Sequence, residues 1–231
     1  MKNQYFGDIN DYKKYGLIRQ LDLKTIICWM LTPNNDNNDG GQIKYLDKPY
    51  QWAKYDKFLF QYLEKHKRNI SDKQYRSVSI IQNRDIIPKC EFFNEIICDD
   101  GELRNQYFKK LFNIANDADL IFFDPDIGLE ALVKCGNRRS SQYLYWNEVK
   151  TAYDKGFSVL IYQHRHRSKT VENMAEYSRV EALKLFRVTN IFIYKTPSVL
   201  FLLIARDEHR KSIIQANKRI KQAWGNILAI H

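Results

Sequence analysis

Asp124, Pro125 and Asp126 follow the four apolar residues Leu120 to Phe123, so two carboxylates emerge where a buried strand surfaces, and a proline stiffens the turn between them. Such a pair can bind a divalent cation through oxygen or supply a base, because neighbouring carboxylates perturb each other's protonation. The same triplet also suits a plain turn whose side chains cap the following amides. Gly128 allows the loop a conformation that other residues resist, and Glu130 adds a third carboxylate within reach, so Asp124, Asp126 and Glu130 are catalytic candidates.

A second cluster begins where the apolar run Ser158 to Tyr162 ends, at Gln163-His164-Arg165-His166-Arg167, with Ser168 and Lys169 continuing it. Imidazole titrates near neutrality and can shuttle protons, and guanidinium forks bind phosphate through paired hydrogen bonds. His164, nearest the strand, is the fourth catalytic candidate, while Arg165, Arg167 and Lys169 are candidate contacts to nucleic-acid phosphates. Arg138 and Arg139, with Lys134, fall between the acidic loop and the next helix and would form the near wall of the same basic groove. The N-terminal YFGDINDYKKYG places Tyr5, Phe6 and Asp8 together. Its rings could stack on bases or simply dock on the core.

The elements that must position these residues follow from apolar spacing. Helices are expected over 10–21, 55–67, 102–116, 145–155, 171–186 and 207–223, and strands over 25–31, 78–82, 91–98, 120–123, 157–163, 188–194 and 199–205. The last two strands are separated only by Lys195-Thr196-Pro197-Ser198, too few residues for a crossover helix, so they form an antiparallel hairpin. The expected fold class is α/β: a three-layer, Rossmann-like domain with a mostly parallel sheet and a C-terminal antiparallel hairpin. No linker or repeat divides the chain, so residues 1–231 read as one domain, with 1–24 a helical segment packed on it. Ligands in such sheets bind beyond the carboxyl ends of the strands, where both candidate loops fall.

Lys and Arg number 37 against 27 Asp and Glu, a net charge of +10 whose field attracts polyanions, so the expected partner is nucleic acid or a nucleotide. Cys28, Cys90, Cys98 and Cys135 form no close pair of the kind zinc knuckles use and read as reduced, mostly buried thiols. No apolar run approaches the ~20 residues of a membrane span, and no signal peptide opens the chain, so a cytoplasmic location without membrane contact is expected.

The final hairpin after a parallel series, together with Asp-Pro at a central strand end, resembles class I S-adenosylmethionine-dependent methyltransferases. Those that modify adenine or cytosine carry an Asp/Asn-Pro-Pro-aromatic motif at this strand end; FFDPD is similar in its first two residues, with Asp126 at the third position. The resemblance implies S-adenosylmethionine as cofactor, bound at the loop after the first strand, here TPNNDNNDGG, with Asn34, Asp36, Gly40 and Gly41 as its contacts. In the alternative, Pro125-Asp126 with Glu148-Val149-Lys150 matches the PD and ExK elements of restriction-endonuclease-like nucleases, which implies Mg²⁺ held by Asp124, Asp126 and Glu148, with Lys150 or His164 managing the water. A non-catalytic nucleic-acid binder is the third reading. It leaves the acidic loop without a purpose.

Overall fold

The computed structural model describes residues 1–35, 40–130, 133–165 and 169–231. Helix α1 (Ile9–Leu21) starts at Asp8, whose carboxylate caps Asn10 N–H, and leads into strand β1 (Thr25–Cys28). A helical segment follows, with α2 (Pro49–Trp52), α3 (Lys57–Lys65) and α4 (Lys67–Ser71), before strand β2 (Cys90–Phe93). Next come α5 (Gly101–Ile114), β3 (Leu120–Phe123), the two-residue strands β4 (Gly128–Leu129) and β5 (Tyr143–Leu144), and α6 (Trp146–Asp154). Strand β6 (Ser158–His164) and helix α7 (Val171–Phe186) precede the hairpin β7 (Ile191–Lys195) and β8 (Val199–Ile204), then α8 (Arg210–Trp224) and β9 (Ala229–Ile230).

The main sheet runs β2-β1-β3-β6-β8-β7-β9. Strands β2, β1, β3 and β6 are mutually parallel, β8 is antiparallel to β6 and to β7, and β9 is antiparallel to β7. The fold is therefore a three-layer α/β architecture with a mostly parallel sheet and antiparallel strands at its C-terminal side. Alternation along each strand divides the core. Ile27, Phe122, Leu160 and Phe201 face one layer with residues of α1, α3 and α8, while Ile26, Ile121, Phe123 and Ile161 face the other with residues of α5, α6 and α7. No helix among the described residues is long and apolar enough to cross a membrane.

Several elements differ from the sequence pattern. Residues 78–82, expected as a strand, form a 3-10 turn at Val78–Ile81: Ser77 caps Ser79 N–H, and Val78 and Ile81 are buried three positions apart, a period that a strand cannot give. β1 stops at Cys28 because Met30 takes a left-handed conformation (φ 45°), leaving Leu31 with a single bridge to Ile96. The helix expected over 55–67 breaks at His66 into α3 and α4. Of the four thiols, Cys28 and Cys90 are buried, but Cys98 and Cys135 are exposed on loops.

Candidate functional site

The carboxyl ends of β1, β3 and β6 lie side by side, and Asp124 follows β3 directly, its N–H donating to Cys28 O (3.0 Å). Only 1% of Asp124 is exposed. One carboxylate oxygen accepts from Lys14 Nζ at 2.6 Å, and the same ammonium reaches Asp11 at 2.8 Å and lies 4.6 Å from the Tyr162 ring centre. Burial pushes the Asp11 carboxyl up to about 6, against a partial offset from Lys14. Burial also opposes the Lys14 charge, yet Asp11 and Asp124 outweigh it and hold the ammonium above its ordinary pKa.

Asp126 sits one turn further on. Lys2 Nζ donates both to its carboxylate and to Thr32 Oγ1, and the Met1 amino group lies 3.7 Å from its other oxygen. Burial would raise this carboxyl, but the Met1 and Lys2 charges prevail and keep it below the usual carboxylate range. Asp124 and Asp126 each retain one buried oxygen, Oδ1, without a hydrogen-bond partner. An unpaired buried acceptor costs about 1–3 kcal/mol.

His164 ends β6, and its ring stands edge-on to Tyr162 at 4.8 Å between centres. Desolvation and then the Lys14 ammonium push its pKa below the ordinary value. Gln163, the residue before it, braces the two loops. Its amide oxygen accepts Leu129 N–H (2.6 Å), and its amide nitrogen donates to His164 O (2.9 Å). Gly128 (φ 142°) leaves room for that amide, since a Cβ there would stand 2.2 Å from it.

The structure thus brings Asp124, Asp126 and His164 to one edge and adds three residues that the motif reading missed: Lys2, Asp11 and Lys14. A signal for them existed. Asp11 and Lys14 lie in register with the apolar positions Tyr15, Ile18 and Leu21 of α1, so a helix that buries those residues also buries the charges. Every residue of α1 from Asp11 to Ile18 is buried.

Other candidates take different places. The Glu130 carboxylate accepts Trp146 N–H at 3.3 Å and serves the start of α6; burial raises its pKa. Glu148 is engaged with Arg104 Nε (2.6 Å), Arg104 Nη2 (2.9 Å) and Tyr145 N–H (2.9 Å), and it lies on a helix, where the nuclease motif needs a strand. Lys150 pairs with Asp154 on the same helix. Both ExK residues thus have partners other than Asp124 and Asp126. No group of three or more His, Cys, Asp or Glu among the described residues is placed to hold a metal ion.

Arg138 and Arg139 are exposed on a segment anchored to Asp99, which accepts Arg139 N–H (2.7 Å) and Ser141 N–H (2.7 Å). Arg165 is exposed next to His164, and the Lys169 ammonium lies over Tyr177 (5.0 Å). Arg167 and Asp36 lie outside the described residues.

The rest of the expected cofactor loop closes on the N-terminal residues. Asn34 Oδ1 accepts Gln4 N–H (3.3 Å), and Asn35 exchanges two hydrogen bonds with the Gln4 side chain. Gly40 approaches Tyr5 so closely that a Cβ would meet Tyr5 Cα at 2.7 Å, and its carbonyl accepts from Arg76. The Gly41 carbonyl accepts Ile43 N–H (2.9 Å). The close approaches that glycine permits here are made by the chain itself.

No protein-family model, curated protein or solved structure matches this chain.

Proposed function

We propose that the chain is an enzyme acting on a nucleotide or nucleic acid at the carboxyl edge of β1, β3 and β6, with chemistry at an exocyclic amino group. One observation carries the reading: the carboxylates of Asp124 and Asp126 lie at the strand ends, each with a buried oxygen that accepts no hydrogen bond, on the edge where His164 ends β6. An amino group on a base brings N–H donors to such acceptors, and a flipped or single-stranded base presents them. His164, whose pKa lies below the ordinary value, is the group assigned at this edge to take the proton that such an amino group gives up. Lys14 keeps Asp124 fixed in place, and Lys2 keeps Asp126 ionised. The chain charge of +10 favours the polyanionic substrate.

Transfer of a methyl group is the form of this chemistry that the methyltransferase resemblance implies, and the antiparallel β7–β8 hairpin beside a parallel series supports it. The described residues of loop 33–41 do not fit S-adenosylmethionine as they are arranged, because Asn34, Gly40 and Gly41 are spent on contacts within the chain. No step is therefore assigned to a donor bound there. The metal-dependent nuclease reading draws less support, since Glu148 and Lys150 are bonded elsewhere.

Thermal-shift titrations with S-adenosylmethionine, with adenosine and cytidine nucleotides, and with Mg²⁺ test the reading, because a ligand at about 100 times its Kd adds about 2.7 kcal/mol to native stability. A nucleotide is expected to raise the melting temperature of the wild type and to lose that effect in Asp126→Asn and His164→Ala. Stabilisation by Mg²⁺ alone, abolished in Asp126→Asn, would transfer the assignment to the nuclease.

A further inference from the structure

The helical segment between β1 and β2 is strongly basic. Residues 44–76 hold nine Lys and Arg against four Asp and Glu, half of the chain's net charge of +10 in about a seventh of its length. Its inner face is committed to the core through Tyr45, Leu46, Leu59, Phe60, Leu63 and Ile70. Its outer face presents exposed Lys48, Lys54, Lys57 and Lys65, none of which has a carboxylate partner among the described residues.

Aromatic rings interrupt this basic face. Tyr50 is 100% exposed on α2, and Phe58 is 53% exposed on the first turn of α3, with the Arg19 guanidinium 5.5 Å from its ring centre. Neither ring adds to the core that the same helices build. Exposed rings beside lysines without carboxylate partners match single-stranded nucleic acid, in which phosphates meet ammonium groups and unpaired bases offer their faces for stacking. Duplex bases are already stacked on one another and offer no such face.

We propose that the outer face of α2 and α3 is a docking surface for single-stranded nucleic acid, with Tyr50 and Phe58 stacking on bases and Lys48, Lys54 and Lys57 contacting phosphates. The inference rests on the nucleic-acid reading above and adds to it the strandedness of the partner and a second set of contacts, made by residues other than those of the carboxylate edge. A chain docked there would be held by contacts tolerant of sequence, and any base preference would be left to the Asp124 and Asp126 site.

The test is fluorescence anisotropy of the full chain with a labelled oligothymidine of about 20 nucleotides, long enough to span a typical single-strand site. Tyr50→Ala/Phe58→Ala is expected to weaken binding at least tenfold with no change in melting temperature, since both side chains are exposed. Lys48→Ala/Lys54→Ala/Lys57→Ala is expected to lower the slope of log K against log salt by about 2. Wild-type affinity in the aromatic variant, tighter binding of a duplex of the same length, or no oligonucleotide binding would each overturn the proposal. So would binding to phosphatidylserine vesicles without binding to the oligonucleotide, which would mark a lipid-facing surface. The mononucleotide titrations report on the carboxylate edge alone, so failure of the surface leaves that reading standing, and the reverse.

Discussion

Replacing Lys14 with Met removes the charge that separates two buried carboxylates while keeping much of the side-chain volume. Lys14 is 2% exposed, with Asp11 at 2.8 Å and Asp124 at 2.6 Å, so neither acid can turn to water when the ammonium is lost. Breaking a buried ion pair by removing one partner costs about 3–5 kcal/mol. At roughly 2–4 °C per kcal/mol for a chain of this size, the melting temperature should fall by about 6–20 °C near pH 8.

The loss must also depend on pH. Asp11 already has its folded pKa raised from 3.8 to about 6, so its contribution to stability is fully present below the unfolded value and is lost as pH rises through about 6. Without Lys14 the Asp11 carboxyl loses the charge that offsets its burial and is pushed further up, and its protonated form costs little to bury. The deficit between variant and wild type should therefore be smaller near pH 5 than near pH 8. Adding Asp11→Asn to Lys14→Met should recover part of the loss, because one of the stranded charges is removed. Circular-dichroism melts at both pH values measure this. A fall of less than about 2 °C near pH 8, or an equal fall at both, would refute the claim that these three groups form one charge-compensated unit.

Arg104→Ala should lower stability by about 3–5 kcal/mol in urea titrations, since it strands Glu148 and also removes donors from Ser140 O and Tyr143 O. In Gly16→Ala the new Cβ would stand 2.2 Å from the Trp224 ring, so the α1–α8 contact should weaken by about 1–3 kcal/mol despite alanine's better helix propensity, readable as a lower urea midpoint and altered tryptophan emission. Lys150→Ala should leave the melting temperature within about 1 °C of wild type, because its pair with Asp154 is solvent-exposed, and should leave nucleotide-induced stabilisation intact; loss of that stabilisation would restore Lys150 to the site.

Much of the architecture is legible in single segments. LIFF and SVLIYQ are apolar on both faces, as parallel strands covered by helices must be, and the four-residue link at Lys195 to Ser198 leaves only a hairpin. The pattern failed at Val78 to Gln82, where apolar residues three apart were read as a strand, because a short apolar run carries too few positions to separate a period of two from a period of three. Glu148 and Lys150 show the same weakness in motifs. Two elements adjacent in a pattern can belong to different networks, and here Arg104, 44 residues earlier, claims the glutamate.

The sequence by itself determined the layer order, the basic surface and the placing of Asp124, Asp126 and His164 at strand ends, since each follows from local periodicity or from composition. Only the tertiary structure decided that Lys14 and Asp11 join Asp124, that Lys2 meets Asp126 across 124 positions, and that Gln4 and Tyr5 close over Asn34 and Gly40. Those contacts are non-local, and their strength comes from burial. The register of α1 indicates that its charges are buried, but Lys14 becomes the partner of the strand-end carboxylate only after the sheet and its helices have come together and excluded the water between them.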